Sequence, residues 1–423
     1  MSVSRVAFLS SEYPPHTYGG LGTVVEALSR FLGARGIEVV MLVPETGDYA
    51  APPPGVSLCP VPVGLPVSDE DYWLTYCESA AATARRTGLR AGVVHCHDWM
   101  TALGGLAIGR ALGVPVLMSI HLPQAAAYHL DLETIGITGC AEVIVNSRAV
   151  RAELTEREVG QDKIVGQDKI SVIPNGVDLA RFRPGDQSPD PLEILFAGRL
   201  IPQKGPDVLL RAFGAVLRRH PGARLTIAGD GTQRLYLERL ARFLGLRQQV
   251  RFLGWQSPDQ LAELYRGCAV LAVPSLYEPF GLVALEAMAS GRPVVVSRVG
   301  GLAEIVEDEV SGFAVEPGDH LDLATRLAAL LSDPGLAGAM GLAARHRAER
   351  YDWRIIAGQT AGLYDSLASR PGPDRTADLE RLLLTAEAGL RERALALLVP
   401  EGRAGDQALA GGSLCERGHD HGR

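Results

Sequence analysis

The sequence predicts an α/β protein made of two doubly wound domains that face each other across a cleft. Three observations lead there. Short apolar runs, closed by glycine or polar residues, alternate with segments of helical periodicity through both halves of the chain. The alternation restarts at Glu193 after a stretch rich in proline, glycine and polar residues, the composition of an interdomain linker. And 423 residues are enough for two or three domains with cores of their own.

Composition narrows the function classes. With 47% hydrophobic and 21% charged residues this is an ordinary globular chain. A net charge of −8 argues against non-specific binding to nucleic acid or to anionic membranes. No apolar run approaches the ~20 residues a membrane helix needs. The N-terminus enters a strand with no basic-then-apolar leader, so a cytoplasmic location is expected. Cys59, Cys77, Cys96, Cys140, Cys268 and Cys415 contain no C-x-x-C pair, the pattern of reduced thiols and not of a zinc site. Lysine occurs only at 163, 169 and 204 while arginine is abundant, so Lys204 stands out as a compact point charge.

The first half opens with a strand at Val6–Leu9 that runs into SSEYPPHTYGGLG. Pro14 and Pro15 bar a helix there, whereas Gly19, Gly20 and Gly22 permit close backbone approach before a helix at Thr23–Leu32. Strand, glycine turn and helix suit phosphate binding, or simply a tight turn, since neither G-x-G-x-x-G nor a P-loop is present. Val39–Val43 is the next strand, and Ala50–Val67 reads as a proline-rich surface excursion. Asp69-Glu70-Asp71 forms a D-x-D, but it opens an amphipathic helix (Tyr72–Arg86) and reads as N-terminal capping charge in preference to a metal site. Strand Val93–Cys96 ends in His95-Cys96-His97-Asp98-Trp99, with three polar side chains at the end of a strand where open α/β sheets bind ligands. Helix Ala102–Leu112 leads to strand Val114–Ile120, which ends at His121, either a group beside a reacting substrate or a satisfied structural histidine.

Strand Ala141–Asn146 and a helix from Ser147, with Ser147 as its cap, come next. The hexamer VGQDKI then occurs twice in tandem over 159–170, a duplication expected to lengthen a surface loop without adding chemistry.

In the second half, strand Glu193–Ala197 is followed by Gly198-Arg199 and Lys204-Gly205 and then helix Pro206–Arg219. Strand Arg224–Ala228 ends at Gly229-Asp230-Gly231, and strand Val250–Leu253 at Gly254-Trp255. Strand Val270–Val273, a polar bend, helix Phe280–Ser290 and strand Pro293–Ser297 form the stretch that carries most chemistry. Its carboxylates Glu278 and Glu286 stand eight positions apart, roughly 12 Å if all helical, so one lies ahead of the helix and one within it. Between them the amides at Phe280, Gly281 and Leu282 form a helix N-terminus, a seat for an anion. Phosphates in the middle with a hydroxyl-binding carboxylate on each side would suit a nucleotide sugar. A plain buried strand–turn–helix with solvated glutamates is the alternative.

The motifs SVIPNGVD, FAGRLIPQKG, IAGDG and PSLYEPFGLVALEAMASGRPVV resemble, in order and spacing, the retaining glycosyltransferases of family 4, which have the GT-B fold. The match runs over about residues 3–368. It implies that Glu286 binds the nucleotide ribose, that Glu278 contacts the donor sugar, and that Arg199 and Lys204 hold the diphosphate. It also implies that Gly19 and Gly20 close over the diphosphate, with Gly198, Gly229, Phe280, Gly281 and Leu282 lining the donor site and His121 beside the sugar.

By the same likeness, residues 1–183 are the acceptor domain and 184–351 the nucleotide-sugar domain, both Rossmann-like. A helix at 352–368 would return to the first domain, and 370–423 would form a helix and a flexible tail. His97, Asp98 and Trp99 are expected on the acceptor side, with acceptor specificity in loops such as Ala50–Val67 and Pro123–Gly139. SSEYPPHTYGGLG and HCHDW also look like bacterial glycogen synthases, although Thr17 stands where those enzymes carry lysine. The expected reaction is retaining hexosyl transfer from a nucleoside-diphosphate sugar to a hydroxyl, with no metal and no cofactor. An α-glucan synthase and a catalytically lapsed binding subunit are the alternatives.

Overall fold

The computed structural model describes residues 2–17, 19–64, 69–123, 127–159, 162–163, 169–369 and 388–398. Two parallel sheets organise it. The first half runs β1 (Arg5–Leu9), α1 (Gly20–Gly33), β2 (Glu38–Pro44), β3 (Val56–Val61), α2 (Asp69–Thr87), β4 (Val93–His97), α3 (Ala102–Leu112), β5 (Val116–Ile120), α4 (Ala127–Gly139), β6 (Glu142–Val145) and α5 (Arg148–Glu156). A short antiparallel pair, β7 (Glu158–Val159) and β8 (Asp162–Lys163), precedes β9 (Ile170–Val172). The sheet is seven-stranded in the order β3-β2-β1-β4-β5-β6-β9.

The second half repeats the plan with β10 (Glu193–Ala197), α6 (Pro206–Arg219), β11 (Arg224–Ala228), α7 (Arg234–Phe243), β12 (Val250–Gly254), α8 (Pro258–Gly267), β13 (Val270–Val273), α9 (Leu282–Ala289), β14 (Val294–Ser297), α10 (Leu302–Ile305), β15 (Gly312–Val315), α11 (His320–Ser332) and α12 (Pro334–Ala348). Its six strands are ordered β12-β11-β10-β13-β14-β15. Both sheets reverse direction of growth next to their first strand, so each has a crevice at the carboxyl ends of its first and fourth strands. The doubly wound α/β class expected from the alternation is the one observed.

Apolar side chains cover both faces of each sheet, as parallel strands require. Val6, Phe8 and Val39 face α1 together with α13 (Trp353–Ala368), whose Trp353, Ile356 and Tyr364 are buried among them. The main-chain N–H of Val3 donates to Asp365 at 2.7 Å. Helix α13 thus lies against the first sheet although it follows the second in sequence.

Four expectations need correction. Ala50–Val67 is not wholly an excursion: Val56–Val61 is a strand, and Pro60 is tolerated because β3 lies at the sheet edge. Much of Pro123–Gly139 is helix α4, whose Leu132, Ile135 and Ile137 are buried, so it is not an open specificity loop. The D-x-D opens α2, and its Asp71 is engaged beyond the start of the helix. Asp71 and Glu78 pair with Arg393 on α14 (Ala388–Leu398) at 2.5 and 2.7 Å. Most of the duplicated hexamer, like 370–387 and 399–423, lies outside the described residues. Lys169 within it is buried, however, and donates to the main-chain carbonyls of Ile137 and Thr138, at the end of α4.

Among the described residues Cys59, Cys77, Cys96, Cys140 and Cys268 are free thiols. No helix among them is long and apolar enough to cross a membrane by itself.

Candidate active site

The turn after β10 and the turn before α9 are locked together by glycines. Gly205 has φ 62°, and a Cβ there would stand 2.1 Å from the Pro274 carbonyl. Leu276 N–H donates to Gln203 O at 2.7 Å. This brings Lys204 Nζ to 2.6 Å from Glu278 Oε2, which also accepts from Ser275 Oγ at 3.2 Å. On the other side Gly301 N–H donates to Glu278 O at 3.1 Å, and Gly300, with φ 48°, has room only for hydrogen: a Cβ would meet that carbonyl at 2.1 Å. Glu278 is therefore fixed at both its carboxylate and its main chain.

Helix α9 begins at Gly281, in the left-handed region with φ 107°, and has no side-chain cap. Its first amides stay free of a side-chain acceptor and point along the dipole axis. Glu286 lies one turn into the helix and accepts from Tyr265 OH at 2.9 Å. Burial raises its pKa to about 7, against the opposing effects of the Tyr265 hydrogen bond and Arg181. The glutamate is thus poised to change charge near neutrality.

From the first sheet, Glu12 follows β1, and its Oε2 accepts the Gly22 N–H at 3.1 Å, pinning the start of α1. Gly19 stands opposite Arg199: a Cβ on it would lie 3.9 Å from Arg199 Nε. A Cβ on Gly20 would lie 2.9 Å from Leu282 Cδ1. The glycine turn of one half therefore rests on the exposed Arg199 and on the first residue of α9 in the other. Ala149 N–H to Glu304 and Tyr277 OH to Glu153, both 2.9 Å, join the halves further along.

His121 closes the site at the end of β5. Its N–H donates to Asp98 Oδ1 at 2.6 Å, and its carbonyl accepts from Asn146 Nδ2 at 3.3 Å. Its ring lies nearly parallel to that of His97 and meets it edge to edge, with centroids 5.4 Å apart, and His97 in turn lies against His95. Burial lowers the His121 pKa to about 4 and that of His95 to about 3, so both rings are neutral at pH 7. It raises Asp98 to about 8, although the amides of His121 and Leu122 oppose this. Asp98 also has φ 61°, unusual for a residue other than glycine.

The site residues expected from the sequence fall into two sets. Arg199, Lys204, Glu278, Phe280, Gly281, Leu282, Glu286, Gly19 and Gly20 gather at the facing strand ends. Gly198 and Gly229 lie behind them, where a Cβ on Gly229 would meet Gly198 O at 1.9 Å, so they shape the backbone of that rim. His97, Asp98 and Trp99, expected towards the acceptor, are 0%, 5% and 6% exposed and stand behind His121. Strand β4 is flanked by β1 and β5, and α3 folds over its end, so Trp99 packs into the core with Leu103 and Leu106. Glu12, Tyr265, Ser275 and Asn146 were not anticipated, since each acts on a partner that only the fold brings near. Among the described residues no group of three or more His, Cys, Asp or Glu side chains is arranged to hold a metal.

Comparison with known proteins gives the family of the chain. Residues 18–181 match the family model described as Glycosyltransferase Family 4, and residues 180–347 match that described as Glycosyl transferases group 1. An uncharacterized glycosyltransferase of Methanocaldococcus jannaschii is 34% identical over 85% of this chain and 97% of its own. A glycogen synthase of Mycobacterium tuberculosis is 33% identical over 87% and 95%. A D-inositol 3-phosphate glycosyltransferase of Acidothermus cellulolyticus is 35% identical over 86% and 88%. Among solved structures, a sucrose-phosphate synthase from Thermosynechococcus elongatus superposes with a TM-score of 0.75 at 27% identity, covering 86% of this chain and 99% of that one. The chain belongs to glycosyltransferase family 4 and is a hexosyltransferase of the GT-B fold.

Proposed function

We propose that this enzyme transfers a hexosyl group from a nucleoside-diphosphate sugar to an acceptor hydroxyl with retention of anomeric configuration and without a metal. The observation that carries the reading is the meeting of Lys204, Glu278 and the uncapped start of α9 with Arg199 and the Gly19-Gly20 turn. In this reading the diphosphate occupies the α9 N-terminus, with Lys204 and Arg199 offsetting the charge that grows as it departs. Glu286, held by Tyr265, takes the ribose hydroxyls. Glu278 takes sugar hydroxyls, and the neutral His121 stands at the far side of the sugar.

Among the described residues no second carboxylate is placed as an enzymic nucleophile, and in this reading the acceptor hydroxyl attacks on the face that the leaving group vacates. Its proton passes to the departing diphosphate oxygen. The bond broken is the anomeric carbon–oxygen bond to phosphate, and the bond formed joins the same carbon to the acceptor oxygen. The Lys204 and Arg199 side chains stabilise charge that develops only in the transition state, the kind of interaction that raises kcat.

An α-glucan acceptor is the second reading, favoured by the likeness to a glycogen synthase over most of both chains. Against it, Thr17 is a threonine whose methyl fills the space beside Gly22, where a Cβ would come within 2.3 Å. The test is a panel of nucleoside-diphosphate hexoses with glucan primers and small polyols as acceptors, run with and without EDTA. Nuclear magnetic resonance of the product reads its anomeric configuration. An inverted product, or transfer abolished by EDTA, would refute the proposal; donor binding without product would indicate a lapsed subunit.

A further inference from the structure

His97 is wholly buried, and its ring nitrogens have unlike surroundings. Nδ1 lies 3.1 Å from Nε2 of His121. Nε2 is buried with no hydrogen-bond partner among the described residues, and the Phe8 ring lies 4.9 Å away between centroids. On its other face the His95 ring is 4.3 Å away, with both nitrogens engaged, one by Tyr364 OH at 2.8 Å and one by Ser119 Oγ at 2.7 Å. Burial depresses the pKa of all three imidazoles, so each carries a single ring proton at pH 7.

One proton therefore lies between His97 Nδ1 and His121 Nε2, and it has two places to sit. On His121 Nε2 it would make His97 Nδ1 the acceptor and force the His97 proton onto Nε2. That leaves a buried N–H without an acceptor, the rarer and costlier kind of orphan. On His97 Nδ1 it leaves only a bare ring lone pair beside Phe8. The second arrangement obliges His121 to carry its own proton on Nδ1.

We propose that His97 is a positioning residue which, by donating from Nδ1 to His121 Nε2, fixes His121 as the Nδ1–H tautomer. Asp98 and Asn146 already hold the main chain of His121, so ring rotation and tautomer are the freedoms left for His97 to remove. The consequence is chemical. With its one acceptor nitrogen engaged, His121 can give a hydrogen bond from Nδ1 but cannot accept a proton from the incoming hydroxyl. This rests on the proposed function, in which His121 faces the sugar, and it agrees with the acceptor proton leaving towards the diphosphate.

The test uses the full chain labelled with 15N-histidine, and His121→Gln identifies one signal among the ten histidines. Long-range proton–nitrogen correlation at pH 7 should show His121 protonated on Nδ1. His97→Leu should yield a mixture of tautomers and lower kcat about tenfold while the donor KM stays within about twofold, because an orientation and not a binding contact is lost. His97→Asn, whose amide nitrogen can donate from the place of Nδ1, should restore both. A wild-type His121 protonated on Nε2, or a His97→Leu enzyme with unchanged tautomer and unchanged kcat, would overturn the assignment. The spectrum needs no turnover. A chain that shows the expected tautomer yet uses no donor would therefore support the hydrogen-bond assignment and refute the proposed function.

Discussion

Lys204 Nζ sits 2.6 Å from Glu278 Oε2, and the pair ties the turn after β10 to the turn before α9. Their side chains are 21% and 10% exposed, so neither is freely solvated. Lys204→Ala should then have two separable effects. Turnover should fall by ~10²–10³-fold, the usual loss when one preorganised donor to a developing charge is removed. Stability should fall by about 1–2 kcal/mol, less than for a fully buried pair, because Glu278 loses its counter-charge. In the double variant Lys204→Met/Glu278→Gln the stability loss should be recovered and the turnover loss retained. Thermal melts and initial rates on the same preparations check both, and wild-type turnover in the double variant would contradict the assignment.

The glycines of the site make contrasting predictions. At Gly20 a new Cβ would meet only the flexible tip of Leu282, and the position opens α1. Gly20→Ala should leave folding within ~0.5 kcal/mol of wild type and raise the donor KM, since the close approach to the cleft is spoiled. At Gly300 the same methyl meets the Glu278 carbonyl at a φ of 48°. Gly300→Ala should cost ~1–2 kcal/mol for the left-handed conformation alone, with more from the contact, and should move Glu278. Denaturant titrations with donor kinetics distinguish the two.

What the sequence disclosed depended on how local the signal was. Strands such as Val270–Val273 and Glu193–Ala197 are short apolar runs with sharp polar ends, and they lie where the alternation places them. Glu278 and Glu286 were legible because the turn and helix between them are continuous in sequence. Tyr265 was not, although it holds Glu286, because their proximity exists only once α8 and α9 pack on neighbouring strands. Strand β3 was obscured by Pro60, which an edge position tolerates and a central one would not. His97 and Trp99 were read from their place at a strand end. The covering that buries them comes from α3 and the neighbouring strands, which no local pattern reveals.

Glu286 gives the enzyme opposite pH dependences of stability and of donor binding. Its pKa in the folded, ligand-free protein is raised to about 7, chiefly by burial. The native state therefore holds a proton here that the unfolded chain has lost, and this group's contribution to stability declines as pH rises from its ordinary value of 4.5 towards 7. Donor binding runs the other way, because a ribose diol is best received by the carboxylate. Affinity for an intact nucleoside-diphosphate sugar should rise about tenfold between pH 6 and 8, following the ionised fraction of a group with that pKa. Tyr265→Phe removes a hydrogen bond that lowers the pKa, so its profile should move to higher pH. Calorimetric titration across this range checks it; a flat profile in the wild type would contradict the role given to Glu286.

Among the described residues the last helix, α14, binds the back of the first half and not the cleft. Arg393 donates to Glu78 at 2.7 and 2.9 Å, to Asp71 at 2.5 Å and to Thr75 at 3.0 Å, all on α2. Leu390, Ala394 and Leu398 are buried in the core that α2 and α3 share, and the Leu398 carbonyl accepts from Arg110 on α3. A planar guanidinium held by two carboxylates gives register, while the leucines supply most of the free energy. Leu390→Ala should therefore cost ~2–4 kcal/mol and Arg393→Ala about 1 kcal/mol, the latter small because the ion pairs are partly solvated. Neither should change kcat, since α14 touches none of the residues gathered at the facing strand ends. Ending the chain at Ser369 should lower the melting temperature and expose apolar surface on α3, seen as dye binding or loss of solubility. A truncated enzyme as stable as the full chain would show that this helix contributes nothing to the fold it covers.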